Sequence, residues 1–199
     1  VKPSALTPRF DPISPQQSIN QAAGRLVPLL QHAHEAGTLI NLDMEQYELR
    51  DLTLALAKHL LADADLSDAS MGLVVQAYLR DAESSTEELL EWRAARRRPL
   101  TIRLVKGAYW DHEVAAAAQR HWPVPVYEHK AETDLAFERL TVRLLSAQPL
   151  VTTAIASHNA RSIAHAMAAA ELLDVPKDHV EFQLLYGMGD ALRAAIVAR

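Results

Sequence analysis

The chain has 199 residues, of which 49% are hydrophobic and 23% are charged, and its formal net charge is −5. This composition is typical of a globular domain with a real core, and the acidic balance argues against nucleic-acid binding, which normally shows as a basic domain. The absence of cysteine excludes disulfides, thiolate catalysis and cysteine-ligated metal centres within this chain, and no apolar run approaches the roughly 18 residues that span a bilayer.

The predicted elements alternate, along the whole chain, between short apolar runs and longer helical patterns. The opening "VKPSAL" shows neither an initiator methionine nor a signal peptide, so we expect a fragment of a longer protein whose first residues end a strand. A helix follows and closes at Gly37. The later predicted strands are Leu39–Met44, Met71–Leu79, Leu100–Gly107, Val151–Asn159 and Val180–Gly189. A helical pattern follows each of them.

The helix after the second of these strands carries two details at its ends. Ser84 with Glu87, or Ser85 with Glu88, has the spacing of a capping box at its start. The run Arg96–Arg98 follows its end, where three cations fit a solvated terminus near the negative pole of the helix dipole.

The β-then-α order predicts an α/β fold with parallel strands and crossover helices, and the apolar strands indicate a sheet covered on both faces. Both the doubly wound sheet and the (β/α)8 barrel have this order. No GxGxxG turn is present, and polar residues recur at the carboxyl ends of the strands, where a barrel gathers them at one mouth. We therefore predict a single TIM-type (β/α)8 barrel over residues 1–199, incomplete in this chain with about six of its eight strands. The polar strand ends are Lys2, Asp43, Gln76, Lys106, His158 with Asn159, and Gln183.

Several of these strand-end groups have roles that chemistry alone leaves open. A buried Asp43 needs a cationic partner, for which Lys2 and Lys106 are candidates, and such a pair serves either catalysis or structure. The nine histidines show no HExxH spacing, so we predict no metal site and expect His158 to be a hydrogen-bonded structural residue. The turn Gly187–Gly189 fits either an anion-binding site or a tight connection.

The stretch "TIRLVKGAYW" ends an apolar strand with two cations, a glycine and two aromatic residues. On the inner face of a barrel, Arg103 is unfavourable unless it meets an electron-rich or anionic group. Gly107 allows close approach of a backbone, and Tyr109 and Trp110 offer flat faces. Together they point to a cofactor with an aromatic ring and phosphates. The other interpretation is a core strand with an amphipathic rim.

The segment "IRLVKGAYWD" resembles the signature of the proline dehydrogenase domain of proline utilization A proteins and of related monofunctional enzymes. The segments "LINLDMEQYELRDLT", "GLVVQAYLRD", "IASHNARSI" and "VEFQLLYGMG" match the same family in order, and "VKPSAL" is similar to its lysine-bearing strand. The resemblance covers nearly the whole chain. It implies a distorted (β/α)8 barrel that oxidises L-proline to pyrroline-5-carboxylate, with FAD as the hydride acceptor and a membrane quinone such as ubiquinone as the electron acceptor.

The resemblance also implies roles for individual residues. Arg103 would lie near the flavin N5 and stabilise the reduced, anionic ring, while Tyr109 and Trp110 would pack beside the ring or the adenine. Lys2 and Asp43 would be catalytic residues of the proline pocket, with Lys2 on the carboxylate and Asp43 orienting the charged network. The remaining FAD contacts would be Gln76, Val105, Lys106, Gly107, Ala108, Ala156, Ser157, His158, Asn159, Gln183 and Leu184, with His129, Lys130 and Thr133 on the phosphates or ribityl chain.

The versions "EHKAETD" and "IASHN" resemble a bacterial bifunctional protein, which implies a covalently linked aldehyde dehydrogenase domain and a cytoplasmic location with peripheral attachment at the inner membrane. The family includes DNA-binding members with an extra N-terminal module, but nothing in this stretch indicates a nucleic-acid partner. The family's first and last strands, and its last helix with two carboxylate-clamping arginines, are expected outside this sequence, and Arg96–Arg98 cannot replace those arginines. Two other functions stay open. One is a flavin-free lyase or aldolase with Lys106 as Schiff-base lysine and Asp43 as proton shuttle. The other is a truncated barrel that binds the cofactor without turnover.

Overall fold

The computed structural model describes residues 1–94 and 99–198 and shows an α/β fold. Five parallel strands stand in the order β1-β2-β3-β4-β5 and curl into about half of a barrel. The strands are β1 (Ile40–Asn41), β2 (Met71–Gln76), β3 (Leu100–Val105), β4 (Val151–Ala156) and β5 (Val180–Gln183). The α-helices are α1 (Pro15–Glu35), α2 (Tyr47–Ala62), α3 (Ala82–Ala94), α4 (Trp110–Arg120), α5 (Lys130–Leu145), α6 (Ala160–Leu172) and α7 (Asp190–Val197).

The core lies between the sheet and the helices that cover one of its faces. Strand β3 shows why, because Leu100, Ile102 and Leu104 are fully buried while the residues between them are half-buried on the opposite face. Side chains alternate across a strand, so this pattern places the leucine–isoleucine face under the helices and turns Arg103 and Val105 towards the barrel interior. Full burial of each such aliphatic side chain contributes about 1.5–3 kcal/mol to folding.

The first residues of the chain differ from the prediction of a strand. Lys2 is extended but directly precedes a 3-10 turn, Pro3–Ala5, so no strand is assigned there. The segment nevertheless pairs with the end of β1, because the Asp43 amide donates to the Val1 carbonyl at 2.8 Å. Pro3 has no amide hydrogen and therefore cannot continue this pairing. The described part of the chain thus holds five strands in place of the predicted six.

The predicted capping boxes at the start of α3 are wrong. The helix begins at Ala82, before both serines, and the Ser84 hydroxyl donates to the Asp81 carbonyl at 3.1 Å. Ser85 donates to the Ala82 carbonyl in the same way. Both serines therefore lie within the first turn and bond to preceding carbonyls, so neither accepts from a free helix amide. The run Arg96–Arg98 lies outside the described residues.

The connection between α4 and α5 anchors the carboxyl side of β2. Leu79 and Val126 form an isolated antiparallel bridge, and the Tyr127 amide donates to the Tyr78 carbonyl at 2.8 Å. The α5 helix then begins at Lys130, with the Glu132 carboxylate accepting from the His129 amide at 3.1 Å. Among the described residues, no helix combines the length and apolar character needed to cross a membrane.

Candidate active site

The carboxyl ends of the strands surround two adjoining cavities of about 470 and 630 Å³. Both are lined by Arg103, Val105 and Ala156–His158. The other residues of the first cavity are Lys2, Asp43, Met44, Val74, Gln76, Lys106, Gly107, Ala108 and Tyr109, and those of the second are Glu181, Phe182, Gln183, Leu184 and Leu185. The structure therefore brings together, at one mouth, most of the side chains predicted from the strand ends.

A further cavity of about 410 Å³ lies elsewhere, against α4 and the start of α2. Its walls include Tyr47, Glu113 and Trp122, and none of the predicted site residues lines it. The chemistry predicted from the strand ends therefore belongs to the barrel mouth.

Arg103 is the best-fixed cation of the mouth. Its Nη1 donates to Asp43 Oδ1 at 2.8 Å, and its Nε donates to Gln183 Oε1 at 2.6 Å. Asp43 follows β1 and Gln183 ends β5, so the guanidinium is held by residues of the two edge strands of the sheet. The Gln183 amide in turn donates to Glu181 at 3.1 Å. The arrangement leaves a planar positive charge that is partly buried and restrained in direction.

The prediction that Lys2 or Lys106 is the cationic partner of Asp43 is wrong. Neither Lys2 nor Lys106 makes a hydrogen bond or ion pair with Asp43 among the described residues, whereas Arg103 does. The reason is the alternation of β3, since Arg103 and Lys106 leave the strand on opposite faces. Asp43 also accepts from the Asn41 side-chain amide at 3.4 Å.

Lys106 points towards helix α5. Its Nζ lies 2.6 Å from Asp134 Oδ1, and Asp134 Oδ2 lies 2.6 Å from Lys130 Nζ. The hydrogen bond from Lys106 and then that from Lys130 lower the pKa of Asp134. One carboxylate therefore ties the end of β3 to the first turn of α5. The sequence interpretation missed Asp134, although its position four residues after Lys130 fits a helical ion pair.

Lys2 reaches across the mouth to Tyr109. Its Nζ lies 3.3 Å from the Tyr109 hydroxyl, and this hydrogen bond raises the pKa of Lys2. The buried Glu45 holds the same segment in place, because its carboxylate accepts from the Ser4 hydroxyl at 2.6 Å and from the Ser4 amide at 3.2 Å. The interpretation also missed Glu45 and Ser4, and no local pattern marks them, because their contact joins residues 41 positions apart.

Two residues of the inner wall, Gln76 and Gly107, are unusual in their hydrogen bonding and in their backbone conformation. Gln76 is buried, and its amide nitrogen donates to the Glu45 carbonyl at 3.1 Å, while Gln76 Oε1 is buried without a partner among the described residues. Gly107 has φ +130°, a backbone conformation that residues with a side chain rarely adopt. A free buried carbonyl and an uncovered backbone thus lie on the same wall.

The two polar residues after β4, His158 and Asn159, differ in their roles: one lines the cavities and the other caps a helix. The imidazole Nε2 of His158 accepts from the Leu185 amide at 3.1 Å, which joins β4 to the loop after β5 and leaves the proton of the neutral ring on Nδ1. Asn159 caps α6, because its Oδ1 accepts from the Ser162 amide at 3.1 Å. His158 lines both cavities, whereas Asn159 lines neither. The prediction of a hydrogen-bonded histidine is confirmed.

The other predicted cofactor contacts lie at the edge of the mouth. Trp110 begins α4, is 41% exposed and donates to the Tyr127 carbonyl at 2.8 Å. His129 and Lys130 are exposed at the start of α5, where Thr133 is buried in the first turn. These four residues line neither cavity, although Lys130 meets Lys106 through their shared Asp134.

A family profile described as "Proline dehydrogenase" matches residues 2–199. Among curated proteins, the chain is 32% identical over 201 residues to the bifunctional protein PutA of Klebsiella aerogenes, covering 100% of this chain and 15% of that protein. It is 29% identical over 186 residues to proline dehydrogenase 1 of Bacillus subtilis (strain 168), covering 93% of this chain and 54% of that protein. The chain thus spans well under two thirds of the length of these relatives.

Solved structures match the same region. Proline utilization A from Bdellovibrio bacteriovorus, inactivated by N-propargylglycine, has a TM-score of 0.95 and 41% identity, over 100% of this chain and 21% of that one. The protein of the same name from Corynebacterium freiburgense has a TM-score of 0.94 and 29% identity, over 100% and 21% of the two chains. The fold described above is therefore shared with a part of these larger proteins.

Proposed function

The chain belongs to the proline dehydrogenase family, and from that premise we propose that it oxidises L-proline to pyrroline-5-carboxylate with FAD as cofactor. In this proposal residues 1–199 form a fragment of a distorted (β/α)8 barrel, running from about its second to its seventh strand. The observation that carries the proposal is the position of Arg103, held by Asp43 and Gln183 over two adjoining cavities at the carboxyl ends of the strands.

The mouth fits a flavin in its donor and acceptor groups. An isoalloxazine ring carries an N–H donor and carbonyl acceptors, which match the unpaired Oε1 of Gln76 and the guanidinium of Arg103. The exposed backbone at Gly107 and the small apolar side chains of Val105 and Ala156 line the first cavity and are compatible with close approach of a ring. A flavin thus accounts for the mixture of free polar groups and uncovered backbone at this wall.

Within this proposal the chain supplies two groups of cofactor contacts. Lys106, Lys130 and the start of α5 provide positive charge for the phosphates. The residues proposed to contact the ring, the ribityl chain or the adenine are Gln76, Arg103, Val105, Gly107, Ala108, Tyr109, Trp110, His129, Thr133, Ala156, Ser157, His158, Asn159, Gln183 and Leu184.

The residues proposed for the substrate line the first cavity together with Arg103. The ammonium group of Lys2 lines the first cavity, makes no ion pair among the described residues and is proposed to bind the proline carboxylate. Tyr109 orients Lys2 through its hydroxyl, and Asp43 keeps the guanidinium of Arg103 in place. Lys2, Asp43 and Arg103 would thus fix the ring of proline relative to the cofactor.

The chemistry of the reaction explains the need for a fixed cation. Formation of the C=N double bond removes a hydride equivalent from the ring carbon next to nitrogen and a proton from nitrogen. FAD, when bound, would supply the hydride acceptor. Arg103, restrained by two hydrogen bonds, would stabilise negative charge that develops beside it without having to move.

One contact counts against the flavin-free lyase or aldolase. A Schiff-base lysine must present an uncharged amine to its substrate. The amine of Lys106 is engaged instead in an ion pair with Asp134 at 2.6 Å. The family assignment and this ion pair both favour the flavin-dependent reaction.

The proposal extends to the larger protein. Since PutA of Klebsiella aerogenes is named a bifunctional protein and this chain covers 15% of it, we propose a covalently linked aldehyde dehydrogenase domain. We further propose that a quinone such as ubiquinone accepts the electrons, and that the protein acts in the cytoplasm with peripheral contact to the inner membrane.

An anaerobic visible spectrum of the purified chain, before and after addition of L-proline, tests the function. We expect a bound-flavin spectrum that bleaches with proline, and loss of bleaching in Arg103→Met. Arg161→Met is the matched control, because Arg161 lies on the surface in an ion pair with Glu138. A folded chain that binds no added FAD would overturn the proposal, and a bound flavin that proline does not bleach would indicate a cofactor-binding fragment without turnover.

A further inference from the structure

We propose that Tyr78 is a positioning residue, whose aromatic ring sets the backbone of Gly107 and thereby shapes the wall of the cofactor site. The inference rests on the proposed function, because it names the support of the proposed FAD site. Tyr78 lines neither cavity of the mouth and therefore acts through Gly107.

The contact between the two residues is close and specific. A β-carbon added to Gly107 would overlap with Cγ, Cδ1 and Cδ2 of the Tyr78 ring. The glycine backbone thus lies directly on the ring, on the side away from the cavity. Gly107 is also held at φ +130°, where a side chain is disfavoured whatever the space. The ring and the backbone conformation thus both exclude a side chain at position 107.

Tyr78 itself is fixed by main-chain hydrogen bonds. Its amide donates to the Lys106 carbonyl at 2.7 Å, and its carbonyl accepts from the Tyr127 amide at 2.8 Å. The preceding Ala77 amide donates to the Val105 carbonyl at 2.8 Å. The pairing between β2 and β3 is thus continued beyond both strands, up to the residue before Gly107. The main chain of Tyr78 is therefore held in place, and burial of the side chain restricts the ring itself.

The ring, and not the hydroxyl, carries this role. Tyr78 is only 3% exposed, and its buried hydroxyl makes no hydrogen bond of good geometry among the described residues. The hydroxyl faces Glu113 and the backbone of Tyr109, and burial followed by the Glu113 charge raises the pKa of Tyr78. A buried hydroxyl without a partner does not favour folding, so removing it leaves the support of Gly107 intact.

The experiment measures FAD binding to the full chain by titration, together with the visible circular dichroism of the bound flavin. Tyr78→Phe should keep both within about twofold of the original chain, since it preserves the ring. Tyr78→Leu keeps apolar volume without a flat face, and Tyr78→Ala removes it. We expect both variants to weaken FAD binding about tenfold and to change the flavin signal. Losses of this size are typical when a residue that supports a ligand-contacting group is replaced.

A double-variant comparison tests the route of the effect. Gly107→Ala should weaken FAD binding by itself, and the loss in Gly107→Ala with Tyr78→Ala should be smaller than the two losses combined, because both act at one contact. Leu56 is a fully buried residue of α2, and Leu56→Ala is the control that should lower thermal stability without changing FAD affinity.

Three results would overturn the inference. These are an unchanged affinity and flavin signal in Tyr78→Leu, an equal loss in Tyr78→Phe and Tyr78→Ala, or additive losses in the double variant. A folded original chain that binds no FAD would overturn the proposed function and this inference with it. An FAD affinity lowered in Leu56→Ala as much as in Tyr78→Ala would show that the loss comes from general instability and would also overturn the inference.

Discussion

The guanidinium of Arg103 lies 2.8 Å from the Asp43 carboxylate, and the two residues are 60 positions apart in the chain. Asp43 follows β1 and Arg103 lies within β3, so the pair spans β2 across the inner face of the sheet. A charged group held in this way is restrained in position before any ligand arrives. The pair is therefore the first target for substitution.

Asp43→Asn should lower kcat/KM for L-proline roughly 10-fold to 100-fold, since a hydrogen bond to a charged group contributes about 1.5–3 kcal/mol. The substitution keeps the shape of the side chain and removes the charge that orients Arg103. Steady-state kinetics on the flavin-loaded chain provide the measurement. Asp190→Asn, at an exposed position of α7, serves as control. Equal kinetics for the two variants would contradict the role given to Asp43.

Asp134→Asn should reduce stability at neutral pH by about 1 kcal/mol, the upper end for partly exposed ion pairs. Because Lys106 and Lys130 lower the pKa of Asp134, the folded state resists protonation more than the unfolded state does. The stabilisation is therefore complete above the ordinary aspartate pKa of about 4 and is lost as the pH falls below it.

Urea unfolding between about pH 3 and pH 7 measures this effect, and the variant should show a shallower loss of stability in acid than the original chain. The exposed Asp65→Asn is the matched control. An acid dependence identical in the original chain and in Asp134→Asn would refute the assignment.

Glu113→Ala should lower the free energy of unfolding by about 1–3 kcal/mol, because a buried helix-end donor loses its partner. Glu113 Oε1 accepts from the amide of Tyr47, the first residue of α2, at 2.7 Å. Glu113→Gln should cost less, since its side-chain carbonyl can still accept. Denaturant unfolding compares both variants with Glu88→Ala, an exposed glutamate of α3. A loss in Glu113→Ala no larger than in Glu88→Ala would exclude the cap.

Ser4→Ala should raise KM for L-proline roughly threefold to tenfold with little change in kcat, the effect of losing one hydrogen bond of about 0.5–1.5 kcal/mol. The Ser4 hydroxyl donates to Glu45 and thereby helps to hold the turn that carries Lys2. Ser146→Ala, at the exposed end of α5, is the control. A change in kcat alone, with KM constant, would show that the turn does not position the substrate.

The order of strands and helices could be predicted from local sequence, because the spacing of apolar residues within a segment reflects which of its faces is buried. Strand β3 and the parallel order of the sheet were predicted in this way. The first residues were predicted as the end of a strand, but no strand is assigned there. Val1 pairs with Asp43 as a strand residue would, and Pro3 then lacks the amide hydrogen that would continue the pairing. Local composition does not show where such a pairing stops.

The sequence by itself determined most of the side chains that reach the mouth of the barrel, because parallel strands in one sheet share a carboxyl edge. Tertiary structure alone decided their partners. Asp43 pairs with Arg103, Lys106 with Asp134, and Tyr78 packs beneath Gly107. The physical reason is that a contact between residues distant in the chain depends on the register and alternation of the strands, and these are set by packing of the whole core.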